Sequence, residues 1–403
     1  MSCKTPATLV TFAVIALAAS AFAQTETTLY NFQGAPDGSV PSTALIRDPS
    51  GNLYGTTAYG GTGGYGTVFE ITNKGTMKIL YNFAGGTDGA IPVAALIRDS
   101  AGNLYGTTEF GGSNSGTIFK IASTGTESIL YRFKGASDGA LPLTGLVRDS
   151  SGNLYGTTSI AGNTSCRSLL GGNELGCGTI FKLNASGKLT VLHTFAPGTD
   201  GQSPYGDMVG DSAGNLYGTT YGGGVHGYGS VFKLAKNGTF TLLYSFNWGV
   251  GTDGARPIGK LLRDTAGNLY GTTRFGGSYG GSDCQGSGCG TIFKVDSSSN
   301  ETVLYTFTGN PDGYDPQAGL VMDSSGDLYG TTTKGGANDQ TGDQGTVFRL
   351  EVNGQETVLH SFGSGSDGFT PLAGLTPGTS NAFYGTASQG GSGHAGVVFK
   401  IAP

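Results

Sequence analysis

The sequence predicts an all-β fold: a seven-bladed β-propeller of four-stranded blades. Three observations predict it. One unit recurs seven times along the 403 residues. Each unit reads as four short strands. The chain also begins and ends partway through a unit.

The repeat is plain in the sequence. GNLYGTT starts at Gly51, Gly102, Gly152, Gly214 and Gly267, with GDLYGTT at Gly326 and NAFYGTA at Asn381. An Asp-Gly pair stands 17 residues ahead of each motif tyrosine, at Asp37, Asp88, Asp138, Asp200, Asp253, Asp312 and Asp367. A proline follows each of these aspartates by four residues, from Pro41 to Pro371. A G-T-V/I-F-K element, or a close variant, comes downstream and carries Phe69, Phe119, Phe181, Phe232, Phe293, Phe348 and Phe399.

Within the first unit, Ala44 to Arg47 leads into a hairpin turn at Asp48 to Asn52. Leu53 to Thr57 reads as a second strand and Gly66 to Ile71 as a third. A turn at Asn73 to Gly75 leads to the fourth, Lys78 to Phe83. No segment shows a helical period. One small sheet cannot cover both of its faces, and radial stacking covers them. The opening segment Thr28 to Phe32 matches a fourth strand, and Lys400-Ile401 closes a third. The strand at 27–32 is therefore expected to complete blade seven and remove an open edge. An open solenoid is the alternative.

Composition narrows the function. Charged residues make up 12% of the chain, the net charge is −6, and no Lys/Arg run exists, so nucleic-acid binding has no electrostatic footing. The 75 glycines follow no Gly-X-Y period, which excludes collagen. Lys4, the apolar run Leu9 to Ala19 and Ala21-Phe22-Ala23 read as a secretory signal peptide over 1–23, leaving 24–403 as a single propeller. The apolar run is too short to span a bilayer and no other stretch is expected to cross one. Cys3 would leave with the signal peptide. The expected location is secreted or periplasmic. Cys166, Cys177, Cys284 and Cys289 fall as two local pairs in glycine-rich loops, which suits Cys166–Cys177 and Cys284–Cys289 disulfides. The rival is one metal site built from all four thiolates. No cofactor is expected.

The unit resembles the bacterial GloVer tandem repeat of the choice-of-anchor proteins. Asp138-Gly139, the run Arg148 to Thr158 and Gly178 to Lys182 carry the resemblance, which covers essentially all of the chain after the signal peptide. The D-x-x-GN-L-Y part also looks like NHL and related propeller repeats. The resemblance implies an exported protein and supplies no catalytic motif. Members often carry a C-terminal sorting signal. None is read here, which favours a soluble product.

Departures from the repeat point to a site. The loop between second and third strands grows in blade three (Ser159 to Gly178), blade five (Arg274 to Gly290) and blade six (Thr333 to Gly345). This loop shares a face with the blade-to-blade loop, so that face is the expected binding face. The blade-to-blade loop runs five residues from Phe to Asp in six copies and seven from Phe246 to Asp253, where the chain's one tryptophan, Trp248, stands. The residue before the repeat proline changes from Val40, Ile91 and Leu141 to Ser203, Arg256 and Asp315. The residue after it becomes Tyr205 and Gln317. Deeper in the inner strand, Ala44, Ala95 and Gly145 are matched by Asp207 and Lys260.

The first reading is an aromatic and polar pocket for a glycan or cell-envelope polymer. Trp248 with Tyr205 or Tyr314 would stack on a sugar, while Arg256, Asp315 and Gln317 hydrogen-bond its hydroxyls. The second pairs Arg256 with Asp315 and Asp207 with Lys260 as fasteners between blades. A polysaccharide hydrolase or lyase is the alternative function, with Asp315, Glu109 and Asp283 as catalytic candidates. The repeated Asp-Gly pairs are read as turn acceptors rather than calcium ligands, because D-G-x-x-P lacks alternating oxygens. His226 and His394 are expected at the surface.

Overall fold

Each unit folds into one antiparallel sheet, and seven four-stranded sheets form a β-propeller. The computed structural model describes residues 25–166, 176–249, 252–277, 284, 286–337, 344–363 and 365–402. The expected signal peptide lies outside these residues. Blade one consists of Ile46–Arg47, Leu53–Thr57, Thr67–Ile71 and Met77–Asn82, paired in that order. Blade seven contains Thr376–Pro377, Phe383–Ala387 and Val397–Ala402, and its fourth strand is Thr25–Asn31 from the other end of the chain. Thr28 lies opposite Phe399 and Asn31 opposite Val397. The ring is closed by a backbone ladder, as the unmatched ends predict.

The innermost strand is shorter than the sequence suggests. Only Ile46–Arg47 pair with Tyr54 and Leu53. Above them the Thr56 N–H points to Thr43 Oγ1 at 3.4 Å, and the Thr157 N–H to Thr144 Oγ1 at 3.4 Å. Side-chain hydroxyls thus take over where the backbone ladder would continue.

Phenylalanines join the blades. Phe32 of blade seven meets Phe69 of blade one edge-to-face at 5.2 Å between ring centres. Phe83–Phe119 (5.1 Å), Phe133–Phe181 (5.1 Å), Phe195–Phe232 (5.4 Å), Phe246–Phe293 (5.1 Å), Phe307–Phe348 (5.2 Å) and Phe362–Phe399 (5.1 Å) repeat the contact at the other six joints. All fourteen rings are fully buried. The glycine of each YGT triplet makes room for them. A Cβ on Gly55 would stand 2.6 Å from Phe69 and 2.8 Å from Leu45.

Polar groups in the repeat serve the fold. Asp99 accepts N–H groups from Ala101 and Asn103, the Asn103 amide and the Tyr105 hydroxyl. Burial alone would raise its pKa, but these hydrogen bonds outweigh burial and hold it below the ordinary carboxylate value. Asp149 and Asp211 behave the same way. Each Asp of the Asp-Gly pairs ties the end of a fourth strand to the following loop. Asp88 accepts from Tyr81 Oη at 2.7 Å and the Ala84 N–H at 2.7 Å. His193 and His360 stand in the tyrosine position and bond Asp200 and Asp367.

Phe32→Ala should cost about 3–5 kcal/mol, because it empties a fully buried ring position where the chain ends meet. Chemical denaturation checks this, and a value near zero would show that the joint does not hold the ring.

At three joints a second carboxyl is pushed far above its ordinary value. Burial first, and then Asp88 or Asp253, pushes Glu127 and Glu301 up to about 7. Burial and Asp312 push Glu356 up to about 8. Each has a buried Oε1 without a hydrogen-bond partner. A folded-state pKa above the unfolded one means that the folded chain binds the extra proton. This stabilisation is complete below the unfolded carboxylate pKa and is lost as pH rises through about 7 to 8. The lowered turn aspartates act oppositely and lose their contribution in acid. Thermal unfolding midpoints should therefore fall as pH rises from about 5 to about 8 and level off above that, and Glu127→Gln/Glu301→Gln/Glu356→Gln should flatten that fall.

Candidate ligand site at the channel mouth

The inner strands enclose a cavity of about 710 Å³ on the propeller axis. The residues after the repeat prolines lie in its wall: Ser42, Val93, Leu143, Tyr205, Ile258, Gln317 and Leu372. Five of the seven carry neither ring nor amide. Tyr205 and Gln317 interrupt them in blades four and six. Deeper down, Asp207 and Lys260 also line the cavity. Glycines on neighbouring blades create their space. Asp207 Oδ1 accepts the Gly145 N–H at 2.6 Å, where a Cβ on Gly145 would stand 2.8 Å from the carboxylate. A Cβ on Gly319 would stand 2.9 Å from Lys260 Cβ.

The residue before each proline has a backbone conformation unusual for a non-glycine residue. Val40, Ile91, Leu141, Ser203, Arg256, Asp315 and Thr370 have φ between 53° and 58°. Left-handed geometry is strained for such side chains and persists only where neighbours fix it. Here two inter-loop hydrogen bonds do so. The Arg256 N–H bonds the Tyr228 carbonyl, and the Arg256 carbonyl accepts the Arg274 N–H. The Asp315 N–H bonds the Cys289 carbonyl, and its carbonyl accepts the Thr333 N–H. These pairings bring the blade-to-blade loop and the second-to-third loop together on one face. At blade five they form a two-stranded ribbon, Gly254–Ala255 with Phe275–Gly276.

Side chains on this face connect blades four, five and six. Tyr205 meets Tyr221 edge-to-face at 5.4 Å. Arg256 lies over the Tyr221 ring at 4.9 Å and its Nη1 donates to Tyr221 Oη at 3.1 Å. Tyr221 also interacts with Arg274. Arg274 grips Asp315 with two parallel bonds, Nε to Oδ1 at 2.7 Å and Nη2 to Oδ2 at 2.9 Å. Gln317 Nε2 donates to Asp315 Oδ2 at 3.0 Å, returning the chain of contacts to the cavity wall. Burial opposes the charge on Arg274, but Asp315 more than compensates and holds its pKa above the ordinary arginine value.

Of the residues singled out by sequence, Tyr205, Arg256, Asp315 and Gln317 fall in this network. Trp248 is half-buried and belongs to the adjoining loops: its Nε1 donates to the Ser287 carbonyl at 3.1 Å and its ring meets Tyr228 edge-to-face at 5.4 Å. Tyr314 is half-buried beside Cys284 and Cys289, with Lys334 over its ring at 6.0 Å. Glu109 occupies the blade-two counterpart of Arg274, on the second residue after its Thr107. Asp283 lies outside the described residues. His226 and His394 are exposed.

Two pairings differ from expectation. Asp315 binds Arg274, not Arg256, because the second-to-third loop of blade five abuts the next blade. Asp207 bonds backbone rather than Lys260, because Gly145 leaves its N–H open. The sequence reading missed Tyr221 and Arg274. Both follow the GTT triplet directly, in the column Ala58, Glu109, Ser159, Tyr221, Arg274, Thr333 and Ser388. Comparing that column would have exposed them.

Disulfides fasten two of the enlarged loops. Cys166–Cys177 and Cys284–Cys289 are bonded with Cα atoms 5.0 and 5.2 Å apart, which excludes the four-thiolate metal site. Among the described residues no group of three or more His, Cys, Asp or Glu is arranged to hold a metal, and no helix is long and apolar enough to cross a membrane.

Seven equivalent blades with one chemically distinct sector at the channel mouth define a tandem-repeat propeller with a specialised rim. The repeat itself identifies the lineage: residues 16–170, 167–286 and 278–403 each match the Gloeobacter/Verrucomicrobia repeat, and the chain belongs to that family. No curated protein sequence matches it. Among solved structures it is similar to one described as the extracellular domain of a one-component system from B. thetaiotaomicron, with TM-score 0.56 and 10% identity over 92% of this chain. The chain spans only 39% of that protein's solved length. It is also similar to one described as a 6-phosphogluconolactonase from Bacteroides uniformis, with TM-score 0.53 and 16% identity over 83% of this chain and 88% of that one. Both similarities establish a shared fold.

Arg274→Ala should destabilise the protein by about 3 kcal/mol, because it strands the buried Asp315 carboxylate. Arg274→Met with Asp315→Leu should recover most of that loss. A double-mutant cycle in denaturant measures both, and an additive result would show that the pair is not coupled.

Proposed function

We propose that this protein is an exported binding module that holds a glycan or another cell-envelope polymer at the channel mouth of blades four to six. The observation that carries this reading is the continuous contact path from Tyr205 through Tyr221, Arg256, Arg274 and Asp315 to Gln317. It combines aromatic surface with directional polar groups beside a cavity of about 710 Å³. That composition and size match small-ligand and oligomer sites generally. The other positions flanking the repeat prolines keep smaller or aliphatic residues, so their chemistry is concentrated in one sector.

Export is supported by the signal-like residues 1–23 and by two disulfides, which persist in oxidising compartments. The similar B. thetaiotaomicron structure is described as an extracellular domain, in keeping with such a setting. Binding without cleavage agrees with the state of Asp315. Both of its oxygens are engaged by Arg274, so it is not placed to exchange protons with a glycosidic bond.

Binding to immobilised cell-envelope and plant polysaccharides tests the proposal. Tyr205→Ala should weaken binding of a polysaccharide ligand by roughly tenfold or more, because it removes the aromatic surface at the cavity wall. Undiminished binding in this variant would move the site elsewhere.

A further inference from the structure

The network at the mouth is rich in donors and short of acceptors. The Arg256 side chain donates once, to Tyr221 Oη, and has no carboxylate partner among the described residues. The rest of its fork makes no hydrogen bond among the described residues. Tyr221 is 5% exposed and its oxygen receives that N–H bond, which leaves its own O–H proton to donate. Buried tyrosine hydroxyls ordinarily find an acceptor. Lys260 adds an exposed ammonium on the cavity wall, with no ion pair among the described residues.

The nearby carboxylates offset these donors only in part. Asp315 is matched to Arg274 by two short bonds. Asp207 bonds the Gly145 N–H but keeps its own charge, which offsets one of the two cations. Arg256 and Lys260 therefore leave local positive charge in a chain whose net charge is −6. The Arg256 backbone is fixed by its bonds to Tyr228 and Arg274, and its guanidinium rests on Tyr221, which pre-positions it.

Resting on the reading of the mouth as a glycan site, we infer that its ligand is an acidic polysaccharide whose uronate carboxylate is received by Arg256, with the Tyr221 hydroxyl beside it. A planar carboxylate offers only acceptors and fits a guanidinium fork in two parallel bonds. The Tyr205 ring supplies the adjoining apolar surface for the sugar, and Lys260 faces a charge deeper in the cavity.

The test uses residues 24–403 and three probes, polygalacturonate, alginate and hyaluronan, each beside its carboxyl-reduced neutral form. Arg256→Ser is the principal variant, because Ser203 already occupies the same left-handed position in blade four. Arg256→Lys is the conservative one. The wild-type protein should bind at least one charged polymer roughly tenfold more tightly than its neutral form. Arg256→Ser should abolish that preference, Arg256→Lys should retain part of it, and added salt should weaken it. Free galacturonate, compared with galactose, reports whether a single carboxylate suffices or a polymer is needed.

Equal binding of charged and neutral forms, unchanged in Arg256→Ser but lost in Tyr205→Ala, would overturn the acidic ligand and leave the glycan site standing. Binding to neither form of any probe would overturn this inference. A neutral glycan bound elsewhere, insensitive to Tyr205→Ala, would remove the site itself.

Discussion

The edge-to-face contact between a fourth-strand phenylalanine and the next blade's third-strand phenylalanine underlies the whole ring. It occurs at all seven joints with ring separations of 5.1–5.4 Å. Such a contact adds roughly 0.5–1.5 kcal/mol to the burial of the rings themselves. Its demands propagate outward. The YGT glycine must lack a side chain, and the fourth strand must end at a fixed place. The Asp-Gly turn then carries the chain to the next blade. At the last joint the demand falls on Phe32, which is why the first described strand belongs to the final sheet.

A scaffold with identical joints can vary its mouth without altering its frame. The seven left-handed positions are fixed by backbone hydrogen bonds, so their side chains are free to differ. In blades one to three they are aliphatic. In blades five and six they become Arg256 and Asp315, and each engages a residue contributed by the second-to-third loop. Asp315 finds a rigid partner in Arg274 and becomes part of the frame. Arg256 rests on Tyr221 and pairs with no carboxylate among the described residues. Two similar departures from the repeat therefore have different consequences, decided by which neighbour each reaches.

Much of this was legible in the sequence because seven copies supply a baseline. Blade number, strand order, closure and disulfide pairs follow from counting and spacing. Tyr205, Arg256, Asp315 and Gln317 stand out against aliphatic counterparts. Arg274 did not, because its column already varies from Ala58 to Glu109 and offers no norm. Partner choice was also hidden: Arg256 and Asp315 look complementary in sequence, but loop geometry sets Asp315 against Arg274. Trp248 drew attention by being unique, yet its indole joins Tyr228 to the disulfide loop. The left-handed backbone before each proline gave no signal, since seven different side chains, none of them glycine, occupy it.

Hydrogen exchange with and without a bound polysaccharide tests the central claim, that a uniform frame carries one specialised sector. Ligand should slow exchange in peptides containing Tyr205, Tyr221, Arg256, Arg274 and Gln317. The equivalent peptides around Val93 and Leu143, and the turns at Asp99 and Asp149 on the opposite face, should be unchanged. Slowed exchange spread equally over all seven mouth segments, or concentrated on the opposite face, would contradict it.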